Sequence, residues 1–156
     1  MISLWAVLWA APAATGFAMM FNVRKRALPI VAAIAVLARF ITEFAQAQGV
    51  TIVVADYFAA VVVGALAYTL GPRTHEASPV YAFAPVIPLI PGAILARALQ
   101  SLLKWINSGG ANDPQAGQDF LEFASSGFTA AAIVLVLCLG ALTPMLLLPR
   151  SRTAED

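Results

Sequence analysis

Charge is scarce in this sequence, and so are the residues that build disulfides and metal sites. Of its 156 residues only 11% are charged and 61% are hydrophobic, with a mean hydropathy of +0.85. A soluble domain carries about 25% charged residues. Cys138 is the only cysteine and His75 the only histidine, which leaves no intrachain disulfide and makes a Cys/His metal site unexpected. The composition indicates an integral membrane protein.

Motifs of catalysis are missing as well. The sequence contains no phosphate-binding loop, no nucleophile elbow, no zinc-binding helix and no pair of carboxylates at catalytic spacing. We therefore predict neither an enzyme nor a bound cofactor or metal ion, and we expect no nucleic-acid partner. The function classes that remain are those of the bilayer: transport, conduction, or support of another membrane protein.

Long apolar runs predict an all-α protein that crosses the bilayer five times. A span needs about 20 apolar residues, and the runs long enough lie at roughly residues 2–23, 27–47, 50–70, 79–107 and 119–149. The links at residues 71–78 and 108–118 are predicted to be a turn and a flexible loop. Residues 1–150 then form one five-span membrane domain, and residues 151–156 a short disordered cytoplasmic tail.

Basic residues predict the orientation of these spans. They follow the first, third and fifth runs, at Arg24, Lys25, Arg26, Arg73, Arg150 and Arg152, whereas the other links carry none. Because Lys and Arg mark the cytoplasmic side, the amino terminus is predicted outside and the carboxyl terminus inside. An alternative lays residues 93–106 flat on the outer surface as an amphipathic helix; the four spans that remain disagree with this charge pattern.

Three ionisable side chains lie at depth in the second and third spans. Arg39 and Glu43 are four residues apart and so share one helical face. Asp56 heads a row of small residues along which another helix can approach closely: Ala60, Gly64 and Ala67. Ionisable groups within a bilayer face protein, where they pair or line a pathway. Arg39, Glu43 and Asp56 are candidates for ion pairing or proton coupling, with a purely structural ion pair or packing role as the alternative.

The fourth span is interrupted in its middle. Pro85, Pro88 and Pro91 recur every three residues, and Gly92 follows. Each proline removes a backbone donor and clashes with the preceding turn, so a regular helix cannot pass through them. Broken backbone is tolerated in lipid only where protein or a water-lined cavity covers it. The break therefore predicts a transport site.

A helix that restarts after the break carries a polar stripe opposite its leucines: Arg97, Gln100, Ser101 and Lys104. A half-helix that begins near the midplane points its positive end into the membrane, where it attracts anions, and a guanidinium adds a bidentate contact to a carboxylate. We predict a substrate site at Pro88, Pro91, Gly92, Arg97 and Gln100. The alternative is that the prolines only bend the helix and that Lys104 reaches the outer surface.

Two motifs resemble a known family. They are residues 16–22 (GFAMMFN) with residues 26–28 (RAL), and residues 86–92 (VIPLIPG). Together they are similar to the small split component of the threonine/serine exporter family, and the similarity spans nearly the whole chain.

That resemblance implies a bacterial inner-membrane exporter of small amino or organic acids, such as threonine, serine or the dicarboxylate succinate. Complete transporters of this family resemble two five-span halves, fused or split into a larger and a smaller chain. The implied partners of this chain are a larger five-span subunit, a small carboxylate-bearing substrate and the lipid bilayer. Two alternatives stay open: a scaffold subunit without its own substrate site, and a homo-oligomeric channel.

Overall fold

The computed structural model describes residues 3–74, 78–108 and 114–147. These residues form α-helices and no strand, so the all-α prediction is confirmed for this part of the chain. A short 3-10 helix, Ile87–Leu89, separates the fourth and fifth helices. The α-helices are α1 (Leu4–Met20), α2 (Leu28–Ala47), α3 (Ile52–Thr74), α4 (Ser78–Val86), α5 (Gly92–Asn107) and α6 (Pro114–Leu147).

Length and hydropathy identify the helices that can cross a membrane. Three qualify within the described chain, at Leu28–Ala47, Ile52–Gly71 and Gln115–Leu147, and a fourth span results if the helices flanking the proline break count as one. α1 is apolar but has only 17 residues, somewhat short of the roughly 20 that a span needs. The described residues thus supply three or four candidate spans, and five spans with the expected orientation stay a prediction.

The same hydrogen-bonded turn closes α1 and α2. Asn22 and Gly49 adopt the left-handed backbone conformation, with φ of 55° and 86°. The next N–H, that of Val23, reaches back to the Ala18 carbonyl at 3.0 Å, and that of Val50 closes α2 in the same way at 3.1 Å. This arrangement is the Schellman motif, which satisfies the last carbonyls of a helix. Both helices therefore end through hydrogen bonds within their own segments.

Two helices run further than the sequence predicted. α3 continues into the expected turn as far as Thr74, whose hydroxyl donates to the Leu70 carbonyl at 2.9 Å. α6 starts inside the expected loop, at Pro114, because proline suits the first position of a helix. The turn and loop predictions were wrong for these residues. His75 and the expected tail at residues 151–156 lie outside the described residues.

The chain divides into two compact units. The first unit comprises the described residues of Met1–Leu89 and Val136–Asp156, and the second unit is Ile90–Leu135. In the first unit α1 packs against α2, α2 against α3, and α3 against α4. In the second unit the Trp105 ring on α5 lies 5.3 Å from the Phe120 ring on α6. α6 contributes residues to both units.

Within the first unit, α3 and the end of α6 approach each other at their glycines. A Cβ added to Gly64 would collide with the backbone carbonyl of Ala141, and one added to Gly140 would lie 2.8 Å from the Ala60 Cβ. Ala60 and Ala67 are fully buried. The prediction that this row of small residues admits another helix is confirmed.

Candidate functional site

The predicted break in the fourth segment is confirmed. α4 ends at Val86, the 3-10 helix follows, and α5 begins only at Gly92. Pro88 is half-buried in the 3-10 helix at the end of the first unit, whereas Pro91 precedes α5 in the second unit. A 3-10 turn uses a tighter hydrogen-bond pattern than the α-helix and suits short pieces at helix ends. The prolines thus end one helix and delay the start of the next.

Several backbone N–H groups at the start of α5 already donate hydrogen bonds within the chain. The Gly92 N–H donates to the Ile90 carbonyl at 2.8 Å, and the N–H groups of Ile94 and Leu95 donate to the Pro91 carbonyl at 3.0 Å. No side chain caps this end. Fewer backbone N–H groups are therefore available to an anion than an open helix start would offer. An anion at this helix start would therefore depend more on the side chains that follow.

Arg97 and Gln100 lie on an exposed face of α5. The Arg97 Nε–H donates to the Ala93 carbonyl of its own helix at the long distance of 3.4 Å. Ser101 is only 2% exposed, and Ala98 is also buried. The two lie on the same side of α5, because residues three apart on a helix are neighbours. Placing Ser101 in the polar stripe was therefore wrong, while Arg97 and Gln100 are available to a ligand.

The opposite face of α5 is apolar and also exposed. Leu99 and Ile106 expose 57% and 58% of their surface, and Leu95 and Leu103 are similar. α5 therefore buries only a narrow strip of small residues and leaves a polar and an apolar face uncovered within the described chain. Such a helix suits the boundary between a polar path and lipid or another protein.

A polar cavity lies at the carboxyl-terminal end of α5. Its volume is about 680 Å³, and its wall includes Lys104 and Asn107 from α5 and Gln118 and Asp119 from α6. All of these residues belong to the second unit. Arg97, Gln100 and Lys104 follow one another at helical spacing along α5, so the polar stripe leads towards this cavity.

Asp56 forms the most deeply buried polar contact in the first unit. It is 1% exposed and Thr42 is fully buried, and the Thr42 hydroxyl on α2 donates to Asp56 Oδ1 on α3 at 2.9 Å. The second oxygen, Oδ2, is buried and has no hydrogen-bond partner among the described residues. An unpaired buried polar atom is costly, so Oδ2 is a position where a further hydrogen-bond partner would be favourable.

Arg39 and Glu43 form the ion pair that their spacing predicted. Arg39 Nη2 lies 2.8 Å from Glu43 Oε1, with side chains that are 25% and 16% exposed. The other oxygen of Glu43 accepts the Ser3 N–H at 3.4 Å, which connects the start of α1 to α2. The pair therefore has at least a structural role.

The charged candidates of α2 and α3 make two neighbouring contacts. Asp56 takes its hydrogen bond from Thr42, next in sequence to Glu43, while Arg39 pairs with Glu43. Thr42 was not among the predicted site residues, because a threonine in an apolar helix is unremarkable. The available signal was its position three residues after Arg39, which places both on one side of α2.

The similarity of this chain to known proteins agrees with its helical architecture. The sequence profile of the family described as threonine/serine exporter, ThrE, matches residues 6–147. The chain belongs to this family. As a member of the threonine/serine exporter family with several apolar helices, it is a multi-pass membrane protein of a transporter family rather than of an enzyme family.

A relative of this exporter-family chain is longer. An uncharacterized protein of Haemophilus influenzae is 33% identical over 136 residues, which make up 87% of this chain and 46% of that protein. The chain thus spans less than half the length of that relative. No solved structure is detectably similar to the chain.

Proposed function

We propose that this chain is the smaller, five-span subunit of a secondary-active exporter in the bacterial inner membrane. With a larger five-span partner it moves small amino or organic acids, namely threonine and serine or a dicarboxylate such as succinate. Membership of the threonine/serine exporter family supports transport of this kind. In the relative from Haemophilus influenzae, the match covers 46% of the protein. The proposed partner corresponds to the unmatched part of that relative.

The observation that carries the proposal is the helix break followed by an exposed arginine. Arg97 lies just over one turn after the start of α5 at Gly92, where the positive end of the helix dipole adds to its charge. Its Nε–H makes only a 3.4 Å bond to its own helix. A guanidinium has five N–H donors, and its two terminal nitrogens match the two oxygens of a carboxylate. Pro91, Gly92, Arg97 and Gln100, with the preceding Pro88, are the proposed substrate-binding residues.

Proton coupling is assigned to the buried carboxyl group of Asp56. Oδ1 is held by Thr42 at 2.9 Å, while Oδ2 has no partner among the described residues. A carboxyl group in this position alternates between a protonated, neutral form and an ionised form that favours a nearby cation. Arg39 and Glu43, which pair with each other at 2.8 Å, provide charges on the neighbouring turn of α2.

Five spans follow if α1 and the broken fourth segment both cross the bilayer. The amino terminus then lies outside and the carboxyl terminus in the cytoplasm, as the positions of the basic residues favour. Cysteine accessibility tests this orientation directly. Ser3 is replaced with cysteine in a Cys138→Ala background. We expect a membrane-impermeant maleimide to label this new cysteine from the outside of intact cells.

Transport measurements test the substrate site. The complex of both subunits, reconstituted in liposomes, is assayed for counterflow of labelled threonine, serine and succinate. Arg97→Ala is expected to lower uptake of the transported substrate at least about tenfold, since a lost charge-assisted contact costs about 1.5–3 kcal/mol. Arg97→Lys keeps the charge and is expected to retain part of the activity. Lys104→Ala, on the same face but further from the break, serves as the control.

Unchanged rate and apparent affinity in Arg97→Ala would exclude the proposed carboxylate contact. Asp56→Asn separates coupling from binding: exchange of substrate continues, whereas accumulation driven by a pH gradient is lost. If gradient-driven transport survives in Asp56→Asn, the coupling role belongs to another residue.

A scaffold subunit is the second candidate function. The close approach of α3 and α6 at Gly64 and Gly140 supports a scaffold role as readily as it supports a substrate site. Reconstitution of the larger subunit alone distinguishes the two. Full transport without this chain favours the scaffold, and transport only with both chains favours a shared site.

A further inference from the structure

A basic cavity lies in the first unit, and its lining includes none of the residues assigned to substrate or coupling. Its volume is about 640 Å³, within the range of roughly 300–1,000 Å³ typical of ligand sites. Arg24, Lys25 and Arg26 from the link between α1 and α2 line it, together with Thr74 and Tyr81. The three basic side chains are exposed, so they form its rim.

The wall of this cavity contains a buried hydroxyl group that has no partner in the described part of the chain. Tyr81 on α4 is fully buried, and its hydroxyl has no hydrogen-bond partner among the described residues. Leaving a buried hydroxyl unpaired is unfavourable. A ligand oxygen in the cavity would remove that cost, and basic residues at the rim favour an anionic one.

The start of α2 also favours an anion in this cavity. Ala27 and Ile30 line the cavity, and Ala27 is the residue before α2, an end without a side-chain cap. Pro29 has no N–H to offer, but the N–H groups of Leu28 and Ile30 belong to the first turn. The positive end of the helix dipole thus lies at the cavity and favours an anion.

An apolar groove continues from the same place. Ile30 lines both the basic cavity and a second cavity of about 370 Å³, whose wall includes Ala33 and Leu37 of α2 and Leu66 and Leu70 of α3. From Pro29 to Leu37, α2 rises about 12 Å at 1.5 Å per residue. The groove therefore follows α2 away from the basic end, into the hydrophobic part of the bilayer.

We propose that this pair of cavities binds one acidic phospholipid. The headgroup phosphate lies in the basic cavity, where Tyr81 donates a hydrogen bond to it, and one acyl chain lies in the groove between α2 and α3. Charge complementarity selects the headgroup, and the apolar groove selects a lipid over a free anion. Clusters of Lys and Arg beside a membrane helix recognise acidic lipids in this way.

Native mass spectrometry of the purified full chain tests the proposal without a transport assay. The chain is titrated with phosphatidylglycerol and with phosphatidylcholine of the same acyl chains. Phosphatidylglycerol is expected to bind at least about tenfold more tightly, given about 1 kcal/mol for each basic residue near the surface. Lys25→Gln/Arg26→Gln is expected to lose most of this preference. Arg97→Gln/Lys104→Gln removes the same charge from the second unit and is expected to keep it.

The remaining variants separate lipid from free anion. Ala33→Trp fills the groove and is expected to weaken phosphatidylglycerol binding several-fold, whereas Ala47→Trp, at the other end of α2, leaves it unchanged. Tyr81→Phe is expected to reduce the increase in melting temperature that phosphatidylglycerol causes. Equal binding of the two lipids, or equal losses in the two charge variants, would overturn the proposal. The proposal would also be overturned if two results occurred together: glycerol phosphate displaces the lipid at matched concentration, and Ala33→Trp leaves phosphatidylglycerol binding unchanged.

Discussion

The first unit buries polar groups and joins helix backbones, whereas the second unit leaves both its polar and its apolar faces open. Thr42 and Asp56 meet out of contact with solvent in the first unit, and Gly64 lies against the Ala141 backbone. In the second unit Arg97 and Gln100 are exposed, and no described atom lies within 4 Å of a Cβ added to Gly127. The space around Gly64 is thus filled by a neighbouring backbone, whereas that around Gly127 is open. The polar and apolar faces of α5 in the second unit are likewise uncovered within the described chain.

Substituting glycines in the two units gives the largest contrast. Gly64→Ala is expected to lower stability by about 2–3 kcal/mol and the melting temperature by about 5–10 °C, because the new methyl group meets backbone that cannot rotate away. Gly127→Ala is expected to be neutral or to stabilise by up to about 1 kcal/mol. Thermal unfolding in detergent, followed by size-exclusion chromatography, measures both. Equal effects would mean that the units do not differ in packing.

The buried hydrogen bond is expected to give the next largest effect. Thr42→Val leaves Asp56 without its donor and is expected to cost about 2 kcal/mol. Thr69→Val is the control, since the Thr69 hydroxyl is exposed and donates to carbonyls of its own helix at 3.1 Å. A double-mutant cycle with Asp56→Asn isolates the contribution of the pair. If Thr42→Val and Thr69→Val lose the same stability, the buried contact contributes nothing.

A glycine with a left-handed backbone is expected to give a smaller effect. Gly49→Ala costs about 1 kcal/mol, because a Cβ disfavours positive φ. Gly117→Ala, in the second unit, lies within α6 where no described atom is close, so it is expected to be neutral or mildly stabilising. Denaturation curves of the two variants provide the comparison, and a loss in Gly117→Ala as large as that in Gly49→Ala would contradict it.

The ion pair is expected to give the smallest effect. Glu43→Gln is expected to cost about 0.5 kcal/mol, since both side chains are partly exposed, at 25% and 16%, and partly exposed pairs contribute little. A double-mutant cycle with Arg39→Gln, measured by thermal unfolding, gives the coupling energy between the two side chains. A loss of several kcal/mol would show that these charges are effectively buried, as for an intramembrane pathway, and would remove the distinction between this pair and Asp56.

Sequence patterns predicted the helices better than the contacts between them. Hydropathy located each apolar run, and the prolines located the break before Gly92, because both depend on local chemistry. The pairing of Arg39 with Glu43 followed from spacing on one helix. The contact from Thr42 to Asp56 joins two helices, and it depends on how each is rotated about its axis, which no single run of residues specifies. The same limit applies to Tyr81, because only the three-dimensional structure shows that its hydroxyl lacks a partner among the described residues.

The turns at Asn22 and Gly49 have a consequence for how the chain is made. Each turn closes with hydrogen bonds to the helix just before it, so its geometry needs no residue that is synthesised later. The first two helix connections can set during membrane insertion, while α4 to α6 are still on the ribosome. A helical hairpin that carries its own stop signals can therefore form before the helices that follow it are made.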